Sequence, residues 1–417
     1  MKQNTFLGAT LALTWLMPAG IMAHEIEHGH EHVEGGWNAE AGFVSDVDIK
    51  AKLWNQRGKS VDEIRERAKF VAETSDPPRT PEELARDKEL QAKYADAIVI
   101  NSLMPGLAGV QGAQKVHVVD GLNSNYEANV DLVSGSIWAY PGVNDISVED
   151  TVERTDAILK EMGVEKASSV EQVRAAAAKD QPLAMYNSQG ADFLADDMER
   201  IVWMKEQGVT VMAFTYNLDN PLSGGGQNPE DNGVTELGIE FIKRANELGI
   251  VVDCSHASDQ TCIDAAKYST KPILATHSNA KGVFDNLRNV SDDAIKAIAE
   301  SGGAVCPLGA GLFLNPEGTA SMEDIAVHVE YIGNLVGRDH TCYGSDKLHH
   351  YFDMLMAAIP NVELYPPERG FGAPMEAATG ADIWGIVAVL EDKYGWSEKD
   401  IRGFLGENLM RVYEANW

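Results

Sequence analysis

Eight short apolar runs, most ending on a polar side chain and most separated by amphipathic segments, constrain this chain more than any other feature. They are AIVIN (97–101), VHVVDG (116–121), PLAMYN (182–187), VTVMAFTYN (209–217), IVVDCSH (250–256), PILATHS (272–278), GAVCPLG (303–309) and HTCYGSD (340–346). Runs that are apolar throughout, rather than alternating, belong to a parallel sheet covered on both faces. Between them stand helical segments such as DDMERIVWMKEQG, LGIEFIKRANELG and SDDAIKAIAESGG, the last capped by Ser291 and stopped by Gly302 and Gly303. Eight strands over about 250 residues predict an α/β fold, a (β/α)8 barrel. A doubly wound open sheet is the alternative, weakened because no glycine-rich phosphate loop follows the first run.

The flanks are organised differently. Residues 1–23 carry one positive charge, an apolar run and Ala23 before a polar stretch, the pattern of a cleaved signal peptide. An exported, periplasmic or secreted location follows from that reading. HEIEHGHEH (24–32) opens a solvated tail, assigned to 24–46, whose four histidines fit no closed metal site. Residues 47–96 read as a helical extension, with Ser60 and Thr80 as caps on either side of the breaker TSDPPR. The barrel domain is placed over 97–417, with helices from 375 to the end and Ser397 as a cap. The 34 basic residues stand against 64 acidic ones, which argues against nucleic-acid or anionic-membrane partners. No later run is long enough for the mature chain to insert in a membrane. Four cysteines are too few for a disulfide scaffold, and Cys306 and Cys342 in apolar runs read as buried thiols.

In a parallel barrel, reactive groups collect at the C-terminal ends of the strands, because the loops there share one mouth. Those ends carry Tyr216 and Asn217, then Asp253, Ser255 and His256, then His277 and Ser278, and finally Ser345 and Asp346. Two histidines from consecutive strands can share one Zn²⁺, and a carboxylate opposite them can handle the proton of an activated water. Either histidine can instead be a hydrogen-bonded polar residue. Asp253, set back from the mouth, reads as a residue that holds a partner. The loop NPLSGGGQNPEDNG (220–233) is either a flap over substrate or an ordinary connection.

GIVVDCSHASDQT, PILATHSNAKGVFDNLRNVSDDAIKAIAESGGAV, CYGSD and GENLMRVYE together resemble the membrane (renal) dipeptidase family of zinc peptidases, a branch of the amidohydrolase-like barrels. The resemblance is densest over 182–346 and returns at 406–414. It implies that His256 and His277 bind a metal, that Arg288 holds a substrate carboxylate, and that Asp346 is the catalytic aspartate near the substrate amine. Where the family carries His-x-Asp for its first zinc, neither IVINSLMPG nor VVDGLNSNY has the pair; in the second, Leu122 and Ser124 stand in those places. Where a bridging glutamate is expected, LAMYNSQGAD offers Asn187 or Ser188, and Tyr216 replaces an assisting histidine. In these features the chain is more similar to the divergent branch that includes the exported dipeptidase-like proteins of pyoverdine maturation.

The expected function is an exported metal-dependent hydrolase of a dipeptide or similar small amide. It would hold one Zn²⁺, with Asn187 or Tyr216 donating to the developing oxyanion. The alternative is a non-hydrolytic or tailoring member that processes or binds a peptide-derived metabolite such as a siderophore precursor. Expected partners are a small peptide-like substrate and, at most, a second copy of the chain.

Overall fold

The computed structural model describes residues 58–106, 115–139, 146–347 and 351–417; the segments assigned above to 1–23 and 24–46 lie outside them. Its strands are β1 (Ile100–Met104), β2 (Leu132–Trp138), β3 (Glu165–Lys166), β4 (Leu183–Ser188), β5 (Val209–Ala213), β6 (Val251–Asp253), β7 (Leu274–Ala275) and β8 (Ala304–Val305). All pair in parallel in the order β1-β2-β4-β5-β6-β7-β8, with β3 attached to β4 alone. Residues 341–346 close the circuit. Thr341 bridges Val305 in parallel, while Ser102 N donates to Tyr343 O at 3.0 Å and Asp346 N to Leu103 O at 3.2 Å. Gly344 permits this closure, since a Cβ there would lie 2.1 Å from the Thr276 carbonyl oxygen. The result is a TIM-type barrel.

The helices, in chain order, are α1 (Val61–Glu73), α2 (Pro81–Lys93), α3 (Lys115–Glu127), α4 (Val148–Met162), α5 (Val170–Ala177), α6 (Arg200–Glu206) and α7 (Glu236–Leu248). They continue as α8 (Asp259–Tyr268), α9 (Asp292–Glu300), α10 (Met322–Val336), α11 (Tyr351–Ala358), α12 (Ile383–Asp392), α13 (Glu398–Arg402) and α14 (Asn408–Asn416). Ser60 and Thr80 cap α1 and α2 through reciprocal bonds with Glu63 and Glu83.

Two expectations need correction. VHVVDG (116–121) is not a strand but the start of α3. Val118, Leu122 and Asn125 are buried while Val116 is exposed, a spacing of one helical face. Leu122 and Ser124 therefore lie on a helix rather than at a strand end. The second barrel strand is LVSGSIW, 132–138. The cysteines are not free thiols: Cys254 is bonded to Cys262 and Cys306 to Cys342.

Inside the barrel, polarity is graded along the axis, and this grading positions the site. Ile100, Leu132, Met185, Val211, Val251, Leu274 and Ala304 form a buried apolar cluster, sealed by Leu409, Met410, Val412 and Tyr413 of α14. Each large side chain there contributes about 1.5–3 kcal/mol by leaving water. Two residues further along their strands, on the same inward face, come Ser102, Ser134, Asn187, Asp253 and Thr276, all buried. The polar ends of the strands lie above that layer.

Candidate active site

β6 runs straight into a turn at His256, whose φ is +66°. Asn217 and Asp346 also adopt left-handed conformations, at φ +66° and +53°. Of five such non-glycine residues among the described residues, these three line one cavity at the C-terminal mouth. Left-handed backbone costs a β-carbon-bearing residue about 1 kcal/mol or more and persists where surrounding contacts enforce it. Here the glycine-rich loop supplies part of that enforcement. Gly226 N donates to His256 O at 2.7 Å, and Gly224 and Ser258 join the same bonded turn. Residues 220–233 thus act as a packed support for His256, not as a free flap.

The two imidazoles meet tip to tip, with His256 Nε2 and His277 Nε2 2.8 Å apart. Their partners assign the tautomers. Asn217 Nδ2 donates to Leu364 O at 3.1 Å, so its Oδ1, 2.7 Å from His256 Nδ1, accepts a proton from that nitrogen. Thr276 Oγ1 donates to Asp253 at 2.5 Å and so accepts from His277 Nδ1 at 2.8 Å. Both Nε2 atoms are then left with bare lone pairs. A third acceptor joins them. Ser136 Oγ donates to Trp138 O at 3.2 Å and accepts from Gln189 Nε2 at 3.0 Å, which turns Gln189 Oε1 toward His256 Nε2 at 2.9 Å.

Electrostatics keeps both histidines neutral. Burial first, then the positive charge of Arg288, and for His256 also His277, pushes their proton affinities well below the ordinary value. Asp346 moves the other way: burial raises its carboxyl to about 7, opposed by the Arg288 guanidinium. Asp253 is likewise raised by burial, opposed by bonds from Thr276 and Ser255. Arg288 donates to Ser278 Oγ and to His277 O, each at 3.0 Å, and leaves further N–H groups over the cavity that it lines. Tyr216 stacks on His256 with ring centroids 4.2 Å apart, and its hydroxyl pairs with that of Tyr365 at 2.7 Å.

Of the residues singled out from the sequence, His256, Arg288, Asp346 and Tyr216 therefore face one cavity, with His277 touching His256. Asn187 is not among the residues lining that cavity: its Nδ2 donates to Ser134 Oγ at 2.9 Å, while its buried Oδ1 has no hydrogen-bond partner. Gln189 was not singled out. Strand alternation from Asn187 carries the signal, since residues 187 and 189 share the inward face.

The donors that meet here are of a kind that fits a divalent ion: two neutral buried imidazoles, each oriented through its other nitrogen, plus an amide oxygen. Among the described residues no cluster of three or more His, Cys, Asp or Glu side chains is placed to hold a metal.

Comparison with known proteins places the chain in a family. The curated relative "Uncharacterized protein in pqqA 5'region" from Klebsiella pneumoniae is 33% identical over 149 residues, a match covering 33% of this chain and 55% of that protein. The chain thus spans about half the length of that relative. Similar solved structures include an amidohydrolase from Pseudomonas aeruginosa (TM-score 0.66, 23% identity, 79% of this chain and 99% of that one). The probable dipeptidase PvdM from the same organism matches at TM-score 0.61 and 17% identity, over 81% of this chain and 99% of that one. A Rhodobacter sphaeroides metallo peptidase, solved with a phosphinate mimic of L-Ala-D-Ala, matches at TM-score 0.61 and 21% identity, over 77% of this chain and all of that one. At these identities the structures speak for the barrel fold alone. The family model described as membrane dipeptidase, peptidase family M19, matches residues 60–357, and the chain belongs to that family.

Proposed function

We propose that this protein is an exported hydrolase that cleaves a dipeptide or similar small amide with a single metal ion held by His256 and His277. One observation carries the reading. Lone pairs on His277 Nε2 and Gln189 Oε1 both face the lone pair of His256 Nε2, at 2.8 and 2.9 Å, with no proton of their own to share. Such a cluster repels itself unless a cation sits among it, and the depressed proton affinity of both rings favours a metal over a shared proton. His256 and His277, with Gln189 beside them, would hold the ion, which when bound would supply Lewis-acid polarisation and a more acidic water.

The chain's own groups do the rest. Arg288, buried and forked, grips a substrate carboxylate. Asp346, with its carboxyl near 7, exchanges a proton with the water or the leaving amine at neutral pH. Tyr216 holds His256 by stacking, and its hydroxyl is a hydrogen-bond donor at the rim. Export is supported by the two disulfides, which persist in oxidising compartments. A tailoring role that does not hydrolyse is the second reading, favoured by the neutral side chains Ser134, Ser136, Asn187 and Gln189 along one wall.

The deciding experiment is metal content by mass spectrometry, with residues 24–32 deleted to remove adventitious histidines. The His256→Ala/His277→Ala variant runs beside it. About one ion per chain, lost in the variant, is expected. No ion in either protein sinks the hydrolase reading and leaves the tailoring one.

A further inference from the structure

One wall of the cavity differs in kind from the rest. Of the described residues that line it, only Arg288 and Asp346 carry a formal charge, and the two act on each other electrostatically. The same cavity is lined by Trp138, Phe313, Met354, Leu355, Tyr365 and Phe371. Four rings form a continuous arc from the guanidinium to the imidazole. Arg288 lies 5.9 Å from the Phe313 centroid. Phe313 to Phe371 is 5.9 Å, Phe371 to Tyr365 5.4 Å, Tyr365 to Tyr216 6.2 Å and Tyr216 to His256 4.2 Å.

This wall is braced from behind. Most of it comes from residues 351–375, and α11 with the residue that follows it packs on α1 of the N-terminal extension, Tyr351, Leu355 and Ile359 clustering with Ile64, Ala68 and Val71. Arg67 Nε donates to Gly372 O at 2.8 Å. Lys347 Nζ, one residue beyond Asp346, bonds Asp76 at 2.6 Å and Ala377 O at 2.7 Å. The extension thus fixes an apolar surface before any ligand arrives, which spares the cost of ordering it on binding.

We infer that the cavity selects amides whose free carboxylate, held by Arg288, sits next to a large apolar or aromatic side chain laid along the Phe313–Phe371–Tyr365 arc. A charged side chain finds no charged partner among the described residues of that wall and is rejected by its desolvation cost, while a glycine leaves the arc unfilled. The inference rests on the reading of this cavity as the substrate site, but not on the metal.

The test is titration calorimetry on the full chain, with and without a chelator, using N-acetyl-L-phenylalanine, N-acetylglycine, N-acetyl-L-aspartate and N-acetyl-L-phenylalanine amide. The phenylalanine acid should bind about 30-fold more tightly than the glycine acid, the gain from burying one aromatic side chain. The aspartate and the amide should each bind at least roughly 10-fold more weakly than the phenylalanine acid. Phe371→Ala should erase about 10-fold of the preference for phenylalanine, and Phe371→Leu should retain most of it. Equal affinity for the glycine and phenylalanine acids, a preference for aspartate, or no binding of the phenylalanine acid in either state overturns the inference. Discrimination that survives the chelator in a protein without bound metal upholds the inference and sinks only the single-ion hydrolase. One ion per chain with no such discrimination does the reverse.

Discussion

Gln189 Oε1 stands 2.9 Å from His256 Nε2, two residues beyond Asn187 on the same inward face. A glutamate at this position would differ in charge at nearly constant shape. A carboxylate between two dications offsets their repulsion, and an amide oxygen offsets none of it. On the single-ion reading proposed above, Gln189 contributes a neutral ligand. Gln189→Glu should raise affinity for that ion by about 10- to 100-fold, the range over which single ligand-sphere changes act. Competition with a chromophoric chelator measures it. Unchanged affinity would mean that Oε1 does not face the ion.

Asp346 gives a pH signature in chelator-treated protein. Its carboxyl is raised by burial to about 7 from an ordinary 3.8. Between those values the unfolded chain has lost the proton and the folded chain keeps it, so stability falls as pH rises through the window. Below and above the window, this contribution is constant. The two histidines act oppositely. Their folded proton affinities lie below the ordinary 6.5, so their contribution is present above that value and is lost on acidification. The difference between parent and Asp346→Asn isolates the carboxyl. Denaturant melts should show the variant gaining roughly 3 kcal/mol relative to the parent from pH 4 to pH 7. A flat difference profile counts against a raised Asp346.

How much of this was legible beforehand depends on what each residue touches. The strands ending in His256, His277 and Asp346 declare themselves because their apolar runs are continuous and their polar ends abrupt. The second strand does not. Ser134, Gly135 and Ser136 interrupt LVSGSIW, because the barrel interior at that height is polar and local hydrophobicity says nothing about that layer. VHVVDG imitates a strand through its β-branched residues, yet Val118 and Leu122 are buried at helical spacing. Tertiary context overrides propensity in both places. The left-handed turns at Asn217, His256 and Asp346 fall on residue types that tolerate that conformation better than most, but which of the chain's Asn, Asp and His residues adopt it is decided by long-range contacts.

The disulfides make a graded prediction about stability. Cys306 and Cys342, 36 residues apart, tie the end of β8 to the strand that closes the barrel, whereas Cys254 and Cys262 are 8 apart and brace the His256 turn. Loop-closure entropy scales with the logarithm of that separation. Replacing the first pair by alanine should cost about 4 kcal/mol and the second about 2.5 kcal/mol. Urea unfolding of the two double variants checks the order. An equal loss, or a larger one from the short loop, would show that strain or packing outweighs chain entropy here.

The last prediction concerns Thr276, which touches no substrate. Its hydroxyl passes orientation from Asp253 to His277: it donates to the carboxylate at 2.5 Å and accepts from Nδ1 at 2.8 Å. Valine has nearly the same shape but no oxygen. Thr276→Val leaves His277 Nδ1 without its acceptor in a buried site, so the ring is free to move its proton to Nε2 and point a donor at the ion. Metal affinity should fall by about 10- to 100-fold, the usual effect of removing such an orienting partner. Nitrogen chemical shifts of the imidazole distinguish this from general loosening, because a change of tautomer exchanges the signatures of the two ring nitrogens. Stability should drop by only about 1–3 kcal/mol, the cost of one buried bond left unmade. If metal affinity holds while the melt shifts, Thr276 serves the core alone, and the orientation of His277 comes from its backbone bond to Ser255.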